Sequence, residues 1–380
     1  MKKVMKKVLV LALCLTLCLT MFAGCGSSEY DEVIFIGASG PLTGAAATYG
    51  ISVRNGAQIA VDEINADGGI NGMEIYFEMA DDEHDTQRAN TVVNTLIDDG
   101  MQVFMGAVTT APSLEVGELT MEANIFQITP SASAAACAQY DNQFRICFTD
   151  PLQGTLSAQF VEESFSSATV GILYDSSDAY STGIYEAFVA EYSGSTVVQS
   201  FTSETNIDFS AQISAFQSAG CDVVFCPFYA EQAVAVFDQS ASKSYSPTFI
   251  GCDGLDGIIP AASSEAIVEG VIYLTPFLAS STDGATVSFV SAYEAAYGAT
   301  PDQFAADGYD AIYTIAAAIE QAGVTDASID ASELCELMKV AMTEITVEGL
   351  TGTTTWSADG EPTKAAMFVV VESGEAVAFN

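Results

Sequence analysis

The segment TVGILY, residues 169–174, begins a second series of strand-like segments in the chain, and it therefore indicates how the chain is divided. It is a short apolar run of the kind that forms a buried strand. Similar strand-like runs stand before it at 33–38, 73–79, 103–107 and 125–129, and after it at 196–201, 222–228 and 247–252. We therefore expect two separate runs of strands in one chain.

Segments with helical spacing of apolar residues separate these strands. They lie at 50–66, 86–98 and 112–123 in the first run and at 181–192, 209–218 and 231–240 in the second. Alternating strands and helices require parallel sheets with helices on both faces. The pattern predicts an α/β protein with two doubly wound lobes. The roughly 355 residues after the leader are more than a single hydrophobic core usually accommodates, which also favours two lobes. Beyond residues 270–277 we expect helices near 286–297, 305–322 and 331–342 and a C-terminal hairpin turning at Asp359-Gly360.

Residues 1–25 have the form of a secretory signal. A basic MKKVMKK precedes an apolar run at 8–22, which is too short to span a membrane comfortably, and small residues follow. FAGC, residues 22–25, resembles the lipobox of bacterial lipoproteins, which implies a lipid on Cys25 and an anchor that does not cross the membrane. The alternative is ordinary cleavage that leaves Cys25 free. Either way we expect the protein outside the cytoplasm.

Charge and cysteine content exclude several classes of protein. Once the leader is removed, six basic residues remain against 50 acidic ones, so nucleic acid is not expected as a partner. No C-x-x-C occurs and the chain has one histidine, so the sequence predicts no metal. Cys137 and Cys147 could form a disulfide, or they could be buried free thiols like the other cysteines of apolar segments.

Ligands of open α/β sheets bind beyond the carboxyl ends of the strands. The loops at those ends are 37–50, 106–113, 129–134, 174–183, 227–232 and 251–257. All six contain hydroxyls, an aromatic residue or an acid, four of them also contain glycine, and none contains lysine or arginine. The predicted site therefore has no basic side chain.

The sequence offers little for catalysis and nothing for a cofactor. It contains no G-x-S-x-G, no phosphate-loop lysine and no G-x-G-x-x-G. His84, in DDEHDT, lies outside the loops named above, and we expect it at a solvated helix start. We predict that the protein is not an enzyme and binds no cofactor.

GCDGLDG, residues 251–257, contains two carboxylates that could serve a metal, an acid–base pair or a charge clamp. A calcium site needs six or more oxygens, and a sugar hydrolase would lean on tryptophan, but Trp356 lies in the C-terminal region. Charge pairing remains, so we assign Asp253 to a ligand ammonium and Asp256 to capping the following helix.

A ligand with an ammonium group can also carry a carboxylate. With no nearby base, hydroxyls and backbone N–H groups must bind it, and the loops VTTAPS and TPSAS supply them. The helix after Thr109 and Thr110 points its N-terminus at that position, which suits an anion. The alternative for these two threonines is helix capping alone.

Five segments resemble the leucine/isoleucine/valine-binding proteins, the extracytoplasmic substrate-binding subunits of ABC importers. They are GPLTGAAATYG (40–50), AVDEINADGGINGMEI (60–75), QITPSASA (127–134), GCDGLDG (251–257) and FAADGYDAIY (304–313). The resemblance implies a Venus-flytrap fold, in which two lobes joined by three crossovers enclose a ligand. We expect a signal at 1–25, a first lobe at 31–150 plus 277–350 and a second at 151–276 plus 351–380.

The resemblance also implies roles for site residues. Hydroxyls of Thr110 and Ser133 fall on the ligand carboxylate, whereas the backbone of Ser131 and the carboxylate of Asp253 fall beside the ammonium. Tyr229 falls on an aromatic residue near the ammonium, and the side-chain pocket is walled by residues at the positions of Tyr49, Tyr180 and Phe304. Plain packing is the alternative for Tyr180 and Phe304. Many relatives carry tryptophan where Leu255 stands, and Ala111-Pro112 replaces a more hydroxyl-rich run, so the side-chain preference stays open.

The sequence thus predicts a lipid-anchored receptor for an α-amino acid, of the branched-chain type, that serves a membrane permease and its ATPase. A related receptor for an amide, a carboxylate or a short peptide is the first alternative. An extracellular hydrolase and a sensor are further alternatives, disfavoured because no base stands near a serine and no membrane span follows residue 25.

Overall fold

The computed structural model describes residues 33–202 and 208–379, in which the predicted strands of the first run form one sheet. Its strands are β1 (Val33–Gly40), β2 (Glu74–Asp81), β3 (Val103–Met105), β4 (Phe126–Thr129) and β5 (Gln143–Arg145). They lie in the order β2-β1-β3-β4-β5, and every pair is parallel. The central strands are buried on both faces, which explains their unbroken apolar sequences.

The second run of strands forms a larger sheet. Five of its strands are parallel: β6 (Val170–Asp175), β7 (Thr196–Phe201), β8 (Val223–Cys226), β9 (Thr248–Gly251) and β10 (Ile272–Thr275). A hairpin of β11 (Val347–Gly349) and β12 (Gly352–Thr354) stands apart. Then β13 (Met367–Glu372) and β14 (Glu375–Ala378) add an antiparallel edge, which gives the order β14-β13-β10-β9-β8-β6-β7.

Helices cover both sheets. Those that follow strands of the first sheet are α1 (Ala47–Ala66), α2 (Thr86–Asp98) and α3 (Thr110–Glu122). Helix α4 (Asp150–Ser164) precedes the second sheet. Those that follow strands of the second sheet are α5 (Ala179–Glu191), α6 (Ser210–Ala219), α7 (Ala230–Ser242) and the short α8 (Ile258–Ala261) and α9 (Glu265–Val268). The last three are α10 (Gly284–Tyr297), α11 (Gln303–Gln321) and α12 (Ala331–Met342).

Helix α11 belongs with the first sheet, although its sequence follows the second. It packs against α1 so closely that a Cβ atom built on Gly56 would lie 1.8 Å from the carbonyl oxygen of Ala305. Helix α12 packs against β4. We call the first sheet with α1–α3 and α10–α12 the first lobe, and the second sheet with α4–α9 the second lobe.

The chain passes between the lobes three times. The passages lie between β5 and α4, between β10 and α10, and between α12 and β13. The expected fold class, a two-lobed α/β protein with parallel sheets flanked by helices, is therefore confirmed. Among the described residues, no helix is both long enough and apolar enough to cross a membrane.

The predicted C-terminal hairpin is present, but its turn was placed wrongly. The paired strands β13 and β14 turn at Ser373-Gly374, where both residues have positive φ, as a tight two-residue hairpin requires. Asp359-Gly360 forms an earlier turn, closed by a single bridge between Trp356 and Pro362. Asp-Gly favours a turn whether or not long paired strands flank it, so the dipeptide alone did not identify the hairpin.

The six cysteines of the described residues are buried free thiols. Cys137 and Cys147 form no disulfide, and Cys221, Cys226, Cys252 and Cys335 are likewise unpaired. Burial raises the pKa of the Cys137 thiol to about 12, so it stays protonated and behaves as a small apolar side chain.

Candidate functional site

The carboxyl ends of both sheets face one cleft, and a narrow cavity of about 10 Å³ lies between them. The structure brings all nine predicted site residues to its wall: Tyr49, Thr109, Thr110, Ser131, Ser133, Tyr180, Tyr229, Asp253 and Phe304. Val108 and Gly254 complete the lining.

The first lobe contributes a helix N-terminus and hydroxyl groups. Thr109 is the N-cap of α3, yet its side chain makes no capping hydrogen bond, and Thr110 is the first helical residue. The first N–H groups of a helix have no partner within the helix. In the loop after β4, the Ser131 hydroxyl donates to the carbonyl of Val108 at 2.6 Å, and Ser133 stands beside it. This side of the cavity therefore presents hydrogen-bond donors without a formal charge.

The second lobe contributes a buried carboxylate. Asp253, 3% exposed, accepts a hydrogen bond of 2.6 Å from the hydroxyl of Tyr180, which itself accepts one of 2.9 Å from the Gly254 N–H. The side-chain oxygen of Gln153 accepts from the Asp253 N–H at 3.1 Å and fixes this turn. Burial raises the pKa of Asp253 to about 6, because desolvation penalises the charged form. A ligand cation at this carboxylate would offset that penalty.

Aromatic rings form the remaining wall. Tyr180 stacks on Tyr229 with ring centroids 5.0 Å apart, and Tyr49 contacts Tyr229 at 5.2 Å and Phe304 at 4.7 Å. Tyr180 and Phe304 thus both pack against neighbours and face the cavity, so packing and lining are not alternatives here. Rings of this size supply apolar surface for a ligand side chain.

Tyr49 also joins the two lobes. It lies on α1 of the first lobe, and its hydroxyl donates to the Gly254 carbonyl at 2.7 Å and accepts from the Ala230 N–H at 2.8 Å, both in the second lobe. Both hydrogen bonds of this hydroxyl cross from one lobe to the other, so they form only while the lobes lie together. The described conformation is therefore a closed one.

The prediction that Asp256 caps the next helix is wrong. The N-cap of α8 is Gly257, at a φ of 108°, and this turn carries Asp256 away from the helix. Its carboxylate instead accepts from the N–H of Gln303 at 3.0 Å, at the start of α11 in the first lobe, and lies near the hydroxyls of Tyr273 and Thr275. Burial, together with the Asp302 carboxylate, raises the pKa of Asp256 to about 7. Asp256 is therefore an inter-lobe contact at the back of the cleft.

Sequence reasoning missed His84 as part of the site. Helix α2 begins only at Thr86 with Asp85 as its N-cap, and His84 lies before it with a φ of 60°. This left-handed turn directs the half-buried ring to the cleft, where Nδ1 lies 2.8 Å from the Thr109 hydroxyl and the ring meets Tyr229 edge-on at 5.5 Å. The expectation of a solvated histidine away from the cleft loops is wrong. The loop after β2 obeys the same carboxyl-end rule, and including it would have found this residue.

The described residues contain no group of three or more His, Cys, Asp or Glu placed to hold a metal ion. The chemistry of the cavity is therefore that of donors on one side, a carboxylate on the other and aromatic surface between them. Such an arrangement can hold a small molecule that carries both a positive and a negative group.

Residues 33–376 match the periplasmic binding protein family. The Leu/Ile/Val-binding protein BraC3 of Rhizobium johnstonii is 30% identical over 295 residues, which are 76% of this chain and 80% of that protein. A solved structure of the branched-chain amino acid transporter substrate-binding protein LivJ of Streptococcus pneumoniae, in complex with isoleucine, superposes with a TM-score of 0.84 at 26% identity, over 91% of this chain and 98% of that one.

A solute-binding protein of an ABC transporter from R. palustris, in complex with benzoate, superposes with a TM-score of 0.78 over 92% of this chain and 96% of that chain. Its identity of 21% supports a shared fold and no more. Family match, relatives and superposed structures agree with the two-lobed α/β architecture. The chain belongs to the periplasmic binding protein family and is related to its Leu/Ile/Val-binding proteins.

Proposed function

We propose that this chain is the extracytoplasmic substrate-binding subunit of an ABC importer and binds an α-amino acid, of the branched-chain type, between its lobes. The observation that carries the proposal is the composition of one cavity, where hydroxyls and a helix N-terminus of the first lobe face the buried Asp253 of the second. An α-amino acid has the two opposite charges that such walls would bind.

The proposed contacts divide the ligand between the lobes. Its carboxylate accepts from the hydroxyls of Thr109, Thr110 and Ser133, and its ammonium donates to Asp253 and to the backbone carbonyl of Ser131. The aromatic wall of Tyr49, Tyr180, Tyr229 and Phe304 encloses the side chain. The ligand then bridges both lobes, so binding favours the closed form by hinge motion.

The proposal extends to the division of the chain and its surroundings. Residues 31–150 with 277–350 form the first lobe, and 151–276 with 351–380 form the second. Residues 1–25, which lie outside the described residues, act as a lipoprotein signal, and lipid on Cys25 anchors the protein to the membrane. The closed form engages a permease with an ATPase partner, and the chain itself performs no covalent chemistry.

A thermal-shift panel tests the proposal on the protein without residues 1–25. The panel contains leucine, isoleucine and valine, the other common amino acids, and for each the amide, the decarboxylated amine and the deaminated acid. A ligand that binds only the folded state raises the melting temperature by mass action. We expect shifts only from ligands that have both the amino and the carboxyl group, with the largest from branched-chain amino acids.

Asp253→Asn distinguishes the proposed amino-acid receptor from a receptor for a carboxylate that has no amino group. Removal of one partner of a buried ion pair costs about 3 kcal/mol or more, so affinity should fall about a hundredfold or more and the shifts should vanish. A receptor for a plain carboxylate such as benzoate would respond to the deaminated acids and tolerate the substitution. A panel of that kind would refute the amino-acid proposal and favour the carboxylate receptor.

A further inference from the structure

Thr109 stands at a helix N-terminus without capping it. A threonine at the N-cap ordinarily accepts a hydrogen bond from the N–H of the second or third helical residue. Here the third is Pro112, which has no N–H, and the Thr109 hydroxyl makes no capping bond at all. It lies instead 2.8 Å from Nδ1 of His84. The side chain that could close the N-terminus of α3 is thus held to one side of it.

The consequence concerns the N–H groups at the cavity. With Thr109 bound to His84, the N–H groups of Thr110 and Ala111 receive no capping side chain and remain available to an anion. If the Thr109 side chain were released, rotation would let it accept from the Ala111 N–H, the only remaining capping partner. An internal cap would then compete with a ligand carboxylate for the same donor.

We propose that His84 is a positioning residue for the ligand carboxylate, which keeps the Thr109 hydroxyl off the N-terminus of α3 and turned toward the cavity. The inference rests on the proposed function, because it concerns how that same site binds the ligand carboxylate. His84 does not touch the ligand and acts through Thr109.

The protonation of His84 decides which way the hydrogen bond runs. When Nδ1 carries no proton, the Thr109 hydroxyl must donate to it and can only present lone pairs to the ligand. When Nδ1 is protonated, Thr109 accepts from the ring and its own hydrogen is free for the carboxylate. The imidazolium always carries a proton on Nδ1, whereas the neutral ring does so in only one of its two tautomers, so the charged form of His84 favours a carboxylate ligand.

The groups that face His84 come from both lobes. Tyr229 of the second lobe packs on the ring, and the Asp82 carboxylate, whose own pKa burial raises to about 6, accepts from the His84 N–H at 2.9 Å. The carboxylates of Asp175 in the second lobe and Asp85 in its own loop raise the pKa of His84. Burial outweighs them and lowers the pKa of His84 below its ordinary value. A bound carboxylate raises that pKa again, so this contribution to affinity is complete below the pKa of the free protein and is lost as the pH rises through that of the complex.

The experiment compares dissociation constants for leucine and leucinamide, which share the ammonium and differ in the carboxylate. His84→Leu removes the hydrogen bond at similar size, and His84→Gln retains a group that can donate to Thr109. We expect His84→Leu to weaken leucine binding about tenfold, as for a lost hydrogen bond to a charged group, to leave leucinamide unchanged, and His84→Gln to restore most of the loss.

Two further measurements exclude a merely structural role. In the Thr109→Val background, where no internal cap can form, His84→Leu should have no additional effect on leucine binding. The preference of the wild-type protein for leucine over leucinamide should increase as the pH falls from 7.5 to 6.0, and His84→Leu should flatten this dependence.

Equal losses for both ligands, additive effects of the two substitutions or an unchanged pH profile would each overturn the role of His84 and leave the proposed function standing. Failure of the wild-type protein to bind leucine at any pH would refute both the proposed function and this inference.

Discussion

The two lobes present opposite chemistry to one cavity. On the first lobe, Thr109, Thr110 and Ser133 lie at a helix N-terminus, which offers donors that carry no formal charge. On the second lobe, Asp253 is a carboxylate whose burial raises its pKa to about 6. One wall therefore binds through groups without formal charge, whereas the other binds through a carboxylate whose charge depends on pH.

The contrast shows how a chain with so few basic residues can hold an anionic group. Backbone N–H groups at a helix terminus carry partial positive charge that no net charge count reveals. The acidic wall needs no such device, because one carboxylate suffices for an ammonium. The two walls should consequently respond differently to substitution and to pH, and leucine and leucinamide tell them apart.

Thr110→Val removes a donor from the first-lobe wall and should give a larger effect than acid pH or the loss of the Tyr49 hydroxyl. Valine keeps the shape of the side chain and removes the hydroxyl, and a hydrogen bond to a charged group contributes about 1.5–3 kcal/mol. Affinity for leucine, measured by titration calorimetry, should fall about tenfold or more, and affinity for leucinamide much less.

Thr120→Val is a matched control on the same helix. The Thr120 hydroxyl is buried against Gln127, away from the cavity. We expect it to lower the melting temperature and leave the affinity unchanged. If Thr110→Val weakened leucine and leucinamide equally, the division of the ligand between the two walls would be wrong.

Acid pH tests the second-lobe wall, because it protonates the carboxylate of Asp253. A ligand ammonium lowers the pKa of Asp253 from about 6, so the carboxylate contributes affinity fully above that pH and loses it as the pH falls. Between pH 6 and 5, affinity for leucinamide should fall by up to about tenfold, the limit for one linked proton. Its amino group stays charged over this range, so the change reports on the protein.

Asp253→Asn supplies the reference for that titration, because asparagine does not ionise. Its residual affinity for leucinamide should be independent of pH over the same interval. A wild-type profile that stays flat between pH 7 and 5 would mean that Asp253 is not the ammonium partner.

The sequence allowed the two-lobed fold to be predicted because buried strands and amphipathic helices are local patterns. The cavity wall followed from the carboxyl-end rule and from the family resemblance, and these brought Asp253 and Thr110 to opposite sides. Their roles toward a ligand remain predictions. What local pattern could not give was the direction of individual side chains after irregular turns.

Asp256 and His84 illustrate that limit. Asp256 contacts Gln303, 47 positions away, because the positive φ of Gly257 turns the chain between them. His84 reaches Thr109, 25 positions away, from a left-handed conformation that histidine adopts infrequently. Both contacts depend on backbone turns and on packing between elements, and neither leaves a periodic signal in the sequence.

Tyr49→Phe tests whether closure itself joins the two walls, and we expect the smallest effect from it. Phenylalanine keeps the ring contacts with Phe304 and Tyr229 and removes the hydroxyl that links Gly254 and Ala230 across the cleft. The closed form loses about 1 kcal/mol, so affinities for leucine and leucinamide should both fall about fivefold. Small-angle scattering of the ligand-free variant should show a larger radius of gyration.

Tyr245→Phe is the control, because the Tyr245 hydroxyl donates to the Cys221 carbonyl within the second lobe, and it should change neither the affinities nor the radius of gyration. An effect of Tyr49→Phe confined to leucine would instead place this hydroxyl on the carboxylate side of the comparison.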